Sequence, residues 1–334
     1  MSVPPASFPR GWFLIEWSDQ LAPGQARPLR YFGRDLVLFR TEQGHARLAD
    51  AHCPHLGAHL GHGGEVKGEQ LQCPFHKWRF DSAGGGCAAI PFTQRSPRVG
   101  LTMWHVHEHE GMILAWYHDQ GAPPSWDFPD YPHLGQAEWL PWEGVEWRIK
   151  SHVYEITEND VDCAHMPAVH DFCEDVPATE AVVDGALMHV TMLTEVTLST
   201  FGMKGHILAP AQTTKVGLGM LLVSQTIEQH GRTIDFRTIG TFTPIDEDHV
   251  HIRARHTVKR MDIPGLAWFV MRNYCKTFKA TVEQDIPIWE NKVYRQRPPL
   301  SEADGPILRF RAWAQQFYPG GEALIDEDQQ AEAG

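Results

Sequence analysis

The sequence predicts an α+β protein with an all-β N-terminal domain and a C-terminal domain that combines an antiparallel sheet with long helices. Three observations support this class. The chain has 334 residues, enough for about two domains. Short strand-like runs separated by turn residues dominate its first third, and longer strand-like runs extend from about 180 to 259. A pattern of helical period follows those runs.

The N-terminal domain is predicted from strand-like runs within 12–49 and 101–117. Between them, residues 53–92 are rich in Gly, His, Cys and Pro and alternate poorly, which predicts loops built around something other than a hydrophobic core. A proline-rich stretch at 123–132 predicts the connection to the second domain. We therefore place the domains at 8–120 and 121–325, followed by a polar tail at 326–334.

The C-terminal domain is predicted to open with a strand at 146–155 and a short helix at 157–166. Thr157 and Asp160 form a pattern typical of a helix start. The strand-like runs come next, and a final helix is predicted at 306–317.

A long helix is predicted at 264–286. Apolar side chains recur every fourth residue along one face: Leu266, Val270, Tyr274, Phe278 and Val282. Pro264 suits the first turn. Pro287 is expected to end or kink the helix just beyond Asp285, because proline lacks the amide hydrogen that the helix requires.

Composition excludes several classes of partner. The chain has 29 Lys and Arg against 42 Asp and Glu, a formal charge of −13, which argues against nucleic acid or an anionic membrane as the main partner. No run approaches the roughly 18 apolar residues of a membrane span, and no signal peptide is recognisable, so a cytoplasmic protein is expected. Six scattered cysteines are too few for a disulfide scaffold.

Two cysteines and two histidines have metal-ligand spacing. Cys53 and His55 form a C-x-H arm, and Cys73 and His76 form a C-x-x-H arm further on. A structural zinc site is one interpretation, although zinc fingers usually pair cysteine with cysteine and histidine with histidine. One Cys and one His per arm suits a two-iron cluster in which one iron takes both cysteines and the other both histidines.

A second constellation follows in 157–172. Asn159, Asp162 and His165 recur every three residues, which predicts one helical face, and His170 is expected from a turn beyond Pro167. Two histidines this close can bind one metal. With one carboxylate they would form a facial triad that leaves positions open for dioxygen.

The carboxylate is expected downstream. Asp285 is the best candidate, since it follows Val282 of the apolar face by three residues. Glu283 is the competitor, but it points off that face. A solvated acid at a helix end remains the alternative for Asp285.

The two Cys–His arms resemble those of the Rieske family. The phrase D-x-x-H-x-x-x-x-H at 162–170 resembles the iron motif of Rieske oxygenases. The resemblance implies that His165 and His170 bind a mononuclear iron, with Asp285 in the place of the family's carboxylate ligand. It also implies that Asp162 links an iron-bound histidine to a cluster histidine of the neighbouring subunit. Asp162 and Asn159 are the candidate catalytic residues.

The C-terminal text from Ile288 to Tyr318 is most similar to the oxygenase components of 3-ketosteroid 9α-hydroxylase and related sterol-acting enzymes. This resemblance implies a Rieske β-domain followed by a helix-grip catalytic domain, assembled as a homotrimer. It further implies a flavin-containing reductase or ferredoxin as electron donor. The implied reaction is hydroxylation of a hydrophobic, steroid-like substrate with dioxygen.

Two alternatives remain at this stage. Within the family, the enzyme could be a sterol desaturase or an oxidative demethylase. In a different class, it could be a Rieske electron carrier without catalysis, although such a carrier needs only about 100 residues.

Overall fold

The computed structural model describes residues 8–91, 93–95, 97–130, 137–170, 179–200, 203–229 and 232–320, without the side chains of 193–200, 203–209, 229 and 232. The predicted tail at 326–334 lies outside these residues. The α+β class is confirmed, because the described residues form two units rich in β-strands, and a few helices belong to the C-terminal unit. One compact unit comprises Trp12–Asp127 with Thr243–Glu247, and the other contains Phe128–Phe242 and the residues after Glu247.

The described part of the N-terminal unit contains ten strands. In chain order they are β1 (Gly11–Trp17), β2 (Ala26–Tyr31), β3 (Arg34–Arg40), β4 (Ala46–Asp50), β5 (Glu65–Lys67), β6 (Gln70–Gln72), β7 (Arg79–Asp81), β8 (Cys87–Ala89), β9 (Val106–His109) and β10 (Met112–Tyr117). They form three sheets, ordered β1-β10-β9, β2-β3-β4 and β5-β6-β7-β8. The β2–β3 hairpin turns at Phe32 and Gly33, whose φ values of 54° and 67° match the right-handed twist of paired strands.

The segment 53–92 differs from its prediction. It contains the four-stranded sheet β5–β8, and Leu60, Leu71 and Phe80 within it are fully buried in a common apolar cluster. Each strand has three residues, which is too short for the alternation of apolar and polar side chains to be visible in the sequence. This segment therefore has both metal-ligand spacing and a small core.

The C-terminal unit is built on one seven-stranded sheet. Its strands are β11 (Glu143–Lys150), β12 (Thr179–Asp184), β13 (Leu187–Thr200), β14 (Met203–Val216), β15 (Met220–Gln229), β16 (Arg232–Pro244) and β17 (His249–Val258). Their order is β11-β17-β16-β15-β14-β13-β12. The strand predicted at 146–155 lies at 143–150, because the chain turns at Ser151 and a helix begins at Val153.

Among the residues described for this unit, four α-helices are present. They are α1 (Val153–Asn159), α2 (His165–His170), α3 (Leu266–Asn291) and α4 (Ile307–Gln315). α3 packs against β11 and β17. No helix in the described ranges is long and apolar enough to cross a bilayer.

The prediction that α3 would end at Pro287 is wrong. The helix begins at Leu266, after Gly265 in a left-handed conformation, and continues through Pro287 to Asn291. Pro287 is exposed, so the carbonyl left without its helical donor faces water instead of the core. The Asn291 side chain also donates to the Pro287 carbonyl over 2.8 Å, which holds the last turn together.

Candidate metal centres

Two loops of matching geometry hold the Cys–His arms of the N-terminal unit. In the first, the amide of Cys53 donates to the carbonyl of Ala58, and that of Gly57 donates to Cys53. In the second, the amide of Cys73 donates to the carbonyl of Trp78, and that of Lys77 donates to Cys73. Each loop is therefore closed by the same pair of backbone hydrogen bonds.

The fifth residue of each loop is left-handed, with φ of 75° at Gly57 and 60° at Lys77. Glycine adopts this conformation easily, whereas Lys77 is held in it by the closure of the loop.

The two loops bring like side chains together. Both thiols are buried, and the Cys73 side chain lies beside that of Cys53. The rings of His55 and His76 lie 4.7 Å apart, and Trp78 stacks on His55 at 4.3 Å. Burial raises the pKa of the Cys53 thiol to about 11, so this side chain becomes a thiolate only beside a compensating cation.

This donor set fits a two-metal cluster better than a single zinc ion. Around one tetrahedral zinc, ligand atoms at 2.0–2.3 Å from the metal all lie within about 4 Å of one another. In the described chain, no three of the four Cys and His side chains have ligand atoms mutually within 4.8 Å. Nδ1 of His55 is buried without a hydrogen-bond partner among the described residues, as expected of an atom that serves as a metal ligand.

The second constellation spans two short helices and the turn between them, which carries Asp162, instead of one helical face. α1 is capped by His152, whose Nδ1 accepts from the Tyr154 amide, and it ends at Asn159. The predicted helix start at Thr157 is wrong, because the Thr157 hydroxyl donates backwards to the carbonyl of Val153 inside α1. Asp160 follows directly as the residue that terminates the helix.

His165 and His170 lie at the two ends of α2. The prediction that Pro167 interrupts a helix is also wrong. Pro167 is the third residue of α2, where its missing amide hydrogen has no helical partner to lose.

The structure brings three of the predicted residues together. The ligand atoms of His165, His170 and Asp285 all lie within 4.8 Å of one another. Nε2 of His170 is 3.3 Å from a carboxylate oxygen of Asp285, and both residues are buried. Glu283 is exposed and pairs with Lys279 at 3.7 Å, away from the histidines. Two histidines and one carboxylate whose ligand atoms are this close can form a facial set of donors for one metal.

The other ring nitrogen of each histidine is already bonded. Nδ1 of His165 donates to the carbonyl of Asp162 over 2.5 Å, and Nδ1 of His170 donates to Oε1 of Gln284 over 2.9 Å. These bonds place a ring proton on Nδ1, so Nε2 is the atom of each ring that a metal would bind, in place of its present hydrogen-bond contact. Burial lowers the pKa of His170, but its bonds to Asp285 and Gln284 outweigh burial and raise it.

Asn159 and Asp162 surround His165. The side-chain amide of Asn159 donates to Nε2 of His165 over 3.1 Å. The Asp162 carboxyl is half-buried, and its Oδ1 has no partner among the residues described. Burial raises the pKa of this carboxyl, against the opposing effect of His165. Within the chain, Asp162 therefore contacts His165 through its backbone carbonyl.

Buried charges that the sequence did not reveal hold α1 in place. Nζ of Lys215 on β14 donates to the carbonyl of Thr157 at 2.9 Å and to Asp160 at 2.5 Å. Arg311 on α4 binds both carboxylate oxygens of Glu158. These pairs anchor the end of α1 from which Asn159 and the following turn project.

Gly305 lies against that same turn. With φ of 70°, it comes so close that an added Cβ would be 2.5 Å from Sγ of Cys163 and 2.8 Å from the carbonyl of Val161. A larger residue at this position would displace the turn that carries Asp162.

Gln284 is the residue of this centre that sequence reasoning missed, although it directly precedes Asp285. We expect Gln284→Ala to weaken iron(II) binding by roughly 10–100-fold, because His170 would lose the acceptor that orients its ring. Iron(II) titration of the metal-depleted protein measures this. Glu283→Ala, which removes an exposed neighbour on the same helix, is the control and should bind iron as before. Equal affinities in the two variants would contradict the orienting role.

Comparison with known proteins gives concordant results. Residues 11–107 match the Rieske [2Fe-2S] domain, and residues 115–318 match the 3-Ketosteroid 9alpha-hydroxylase C-terminal domain. The chain is 31% identical to the 3-ketosteroid-9-alpha-monooxygenase oxygenase component of Rhodococcus rhodochrous, over 97% of this chain and 84% of that protein. It is 30% identical to cholesterol 7-desaturase of Drosophila melanogaster, over 97% and 78%.

A crystal structure of dicamba monooxygenase bound to dicamba shares the fold. Its TM-score is 0.72 at 18% identity, covering 92% of this chain and 96% of that one. The fold and the two centres define a Rieske-type non-haem iron oxygenase, with a [2Fe–2S] cluster and a mononuclear iron. Within that class, the chain belongs to the family of the 3-ketosteroid 9α-hydroxylase oxygenase components.

Proposed function

We propose that the protein hydroxylates a hydrophobic, steroid-type substrate as the oxygenase component of a multicomponent monooxygenase. The main support is that the ligand atoms of His165, His170 and Asp285 lie within 4.8 Å of one another in a chain that also contains a Rieske domain. The balanced reaction consumes one dioxygen, two electrons from NAD(P)H and two protons. It converts one C–H bond into C–OH and releases one water.

The proposed ligands of the cluster are Cys53, His55, Cys73 and His76, and those of the mononuclear iron are His165, His170 and Asp285. When bound, the cluster supplies single electrons and the ferrous iron activates dioxygen. The chain orients the iron histidines through the Asp162 carbonyl and Gln284, and it buries Asp285 away from competing water.

The electron donor is proposed to be a flavin-containing reductase or a ferredoxin, and the assembly a homotrimer. Leu56 and Phe75, next to His55 and His76 in the chain, are 64% and 61% exposed. Large apolar side chains exposed in this way support contact of the two loops with another protein surface. Asp162 retains a buried carboxylate oxygen with no partner in the described chain, and this atom would receive a cluster histidine of the adjacent subunit.

Desaturation is the second candidate, favoured by the identity of 30% to a cholesterol 7-desaturase. It uses the same dioxygen and electrons but removes two hydrogens from neighbouring carbons and releases two waters. The electron carrier without catalysis is not favoured, because residues 115–318 match the C-terminal domain of an oxygenase family.

Reconstitution tests these functions. The anaerobically purified protein should contain the two cluster irons, two acid-labile sulfides and one further iron per chain. With a reductase, NADH and ¹⁸O₂, a 3-ketosteroid should yield a hydroxylated product that carries ¹⁸O. A new double bond without ¹⁸O would establish the desaturase instead. If the iron content equals the sulfide content and does not rise after iron(II) is added, the protein has no mononuclear iron and can only transfer electrons.

A further inference from the structure

A buried histidine lies in the apolar layer between α3 and the sheet. His256 on β17 is 0% exposed. Its ring lies 4.4 Å from that of Phe278 and 5.3 Å from that of Tyr274, both on α3. Tyr274 in turn packs on Phe236 at 4.8 Å. None of the residues assigned to the two metal centres explains a polar side chain at this place.

One nitrogen of this ring is bonded and the other is not. Nδ1 of His256 is 2.9 Å from the Thr238 hydroxyl, which is 3.1 Å from the Tyr274 hydroxyl. Nε2 is buried and has no hydrogen-bond partner among the residues that the structure describes. Burial lowers the pKa of His256 to about 4, so the ring is neutral near pH 7. Nε2 therefore presents either one N–H donor or one lone pair.

An unpaired buried polar atom destabilises a fold, and native structures rarely retain one without a reason. A trapped water is a poor substitute, because it needs two to four polar partners and the neighbouring rings are apolar. A polar atom that arrives with a bound substrate satisfies the nitrogen without that requirement.

The position of His256 relative to the iron residues follows from α3. Phe278 and Asp285 are seven residues apart, so they share one face of the helix about 10 Å apart along its axis. β17 runs antiparallel to α3. The end of β17 at Val258 shares an apolar cluster with Ala267 at the start of α3. The start of β17 at His249 pairs with Lys150, whose amide bonds to Glu290 at the end of α3. Ala254 and Ile252 continue the buried face of β17 from His256 towards the level of Asp285.

We propose that Nε2 of His256 hydrogen-bonds a keto or hydroxyl oxygen on an otherwise apolar substrate. This inference rests on the proposed function and adds a specific contact to it. A hydrogen bond spans about 3 Å, and the attacked carbon lies a few ångströms from iron. Phe278 and Asp285 are roughly 10 Å apart along α3. Once the hydrogen bond and the separation between iron and carbon are subtracted, the attacked carbon and the recognised oxygen are one to two fused rings apart.

Three steroids that differ in a single group test this contact: 5α-androstan-3-one, 5α-androstan-3β-ol and 5α-androstane. Equilibrium dialysis with the iron-loaded protein gives their dissociation constants. We expect the unmodified protein to bind at least one of the two oxygenated steroids about tenfold more tightly than the hydrocarbon. His256→Phe should bind all three within about threefold, with cluster absorption and iron content unchanged.

Thr238→Val is the second variant, and it does not alter the ring itself. The Thr238 hydroxyl bonds Nδ1 of His256, so its loss leaves the ring less firmly oriented. This variant should show a reduced preference for oxygenated steroid, with the dissociation constant of the hydrocarbon unchanged. A purely structural role for Thr238 would weaken the binding of all three steroids alike.

The outcomes separate the two ideas. A full preference for oxygenated steroid in His256→Phe, or no preference in the unmodified protein, overturns the role of His256 while leaving a steroid substrate intact. If the unmodified protein binds none of the three steroids, the proposed substrate class fails, and the contact fails with it.

Discussion

Asp285→Ala is expected to remove the mononuclear iron and to leave the Rieske cluster spectrum unchanged. The carboxylate is buried 3.3 Å from Nε2 of His170, and a facial site that loses one of three protein ligands retains iron poorly. The four proposed cluster ligands lie in the N-terminal unit and should be unaffected. Iron and sulfide analysis with the EPR spectrum of the reduced protein measures both centres. Substrate turnover should fall to background.

Glu283→Ala is the matched control, because it removes an acid two residues away on the same helix that faces water and Lys279. This variant should keep all of its iron. Full iron in Asp285→Ala together with lost iron in Glu283→Ala would move the ligand assignment to the competitor. Cluster loss in Asp285→Ala would instead indicate general misfolding.

Asp162→Ala should keep both metal centres and lower turnover by at least about 100-fold. The backbone carbonyl that orients His165 is retained in alanine, so the iron ligands stay in place. The lost group is a half-buried carboxyl whose Oδ1 has no partner in the described chain, as expected for an acid that completes a contact with another subunit. The decisive measurement is the rate at which dioxygen and substrate discharge the prereduced cluster, which should fall with turnover.

Glu180→Ala on β12 removes an exposed carboxylate at an unrelated place and should discharge its cluster at the normal rate. Normal discharge in Asp162→Ala would refute the relay role. Loss of mononuclear iron in this variant would mean that Asp162 supports the ligands and does not carry the electron path.

Sequence alone was sufficient where chemistry dictates residue types at short spacing. Cys53 and His55 share one short loop, Cys73 and His76 share another, and His165 and His170 are five residues apart on α2. The helices around the second pair were predicted wrongly. Thr157 was interpreted as a helix start and Pro167 as a helix interruption. Either residue can also lie inside a helix or in its first turn, and tertiary contacts decide between these positions.

Long-range partners could not be predicted. Lys215 occurs in a strand-like run where a lysine normally marks the solvent face, yet it is buried against Asp160 and the end of α1. Gln284 and His256 are ordinary residues of a helix and a strand. Their significance comes from the atoms opposite them, His170 in one case and the Thr238 hydroxyl in the other.

α3 is a continuous helix of 26 residues that carries Asp285 near one end and the rings of Phe278 and Tyr274 towards its middle. Any shift of this rod moves a metal ligand together with one wall of the apolar layer. The opposite wall, on β16 and β17, carries none of the proposed iron ligands. Evolution towards new substrates is therefore least constrained on the sheet, where Thr238, Ala254 and His256 can be exchanged without displacing the iron.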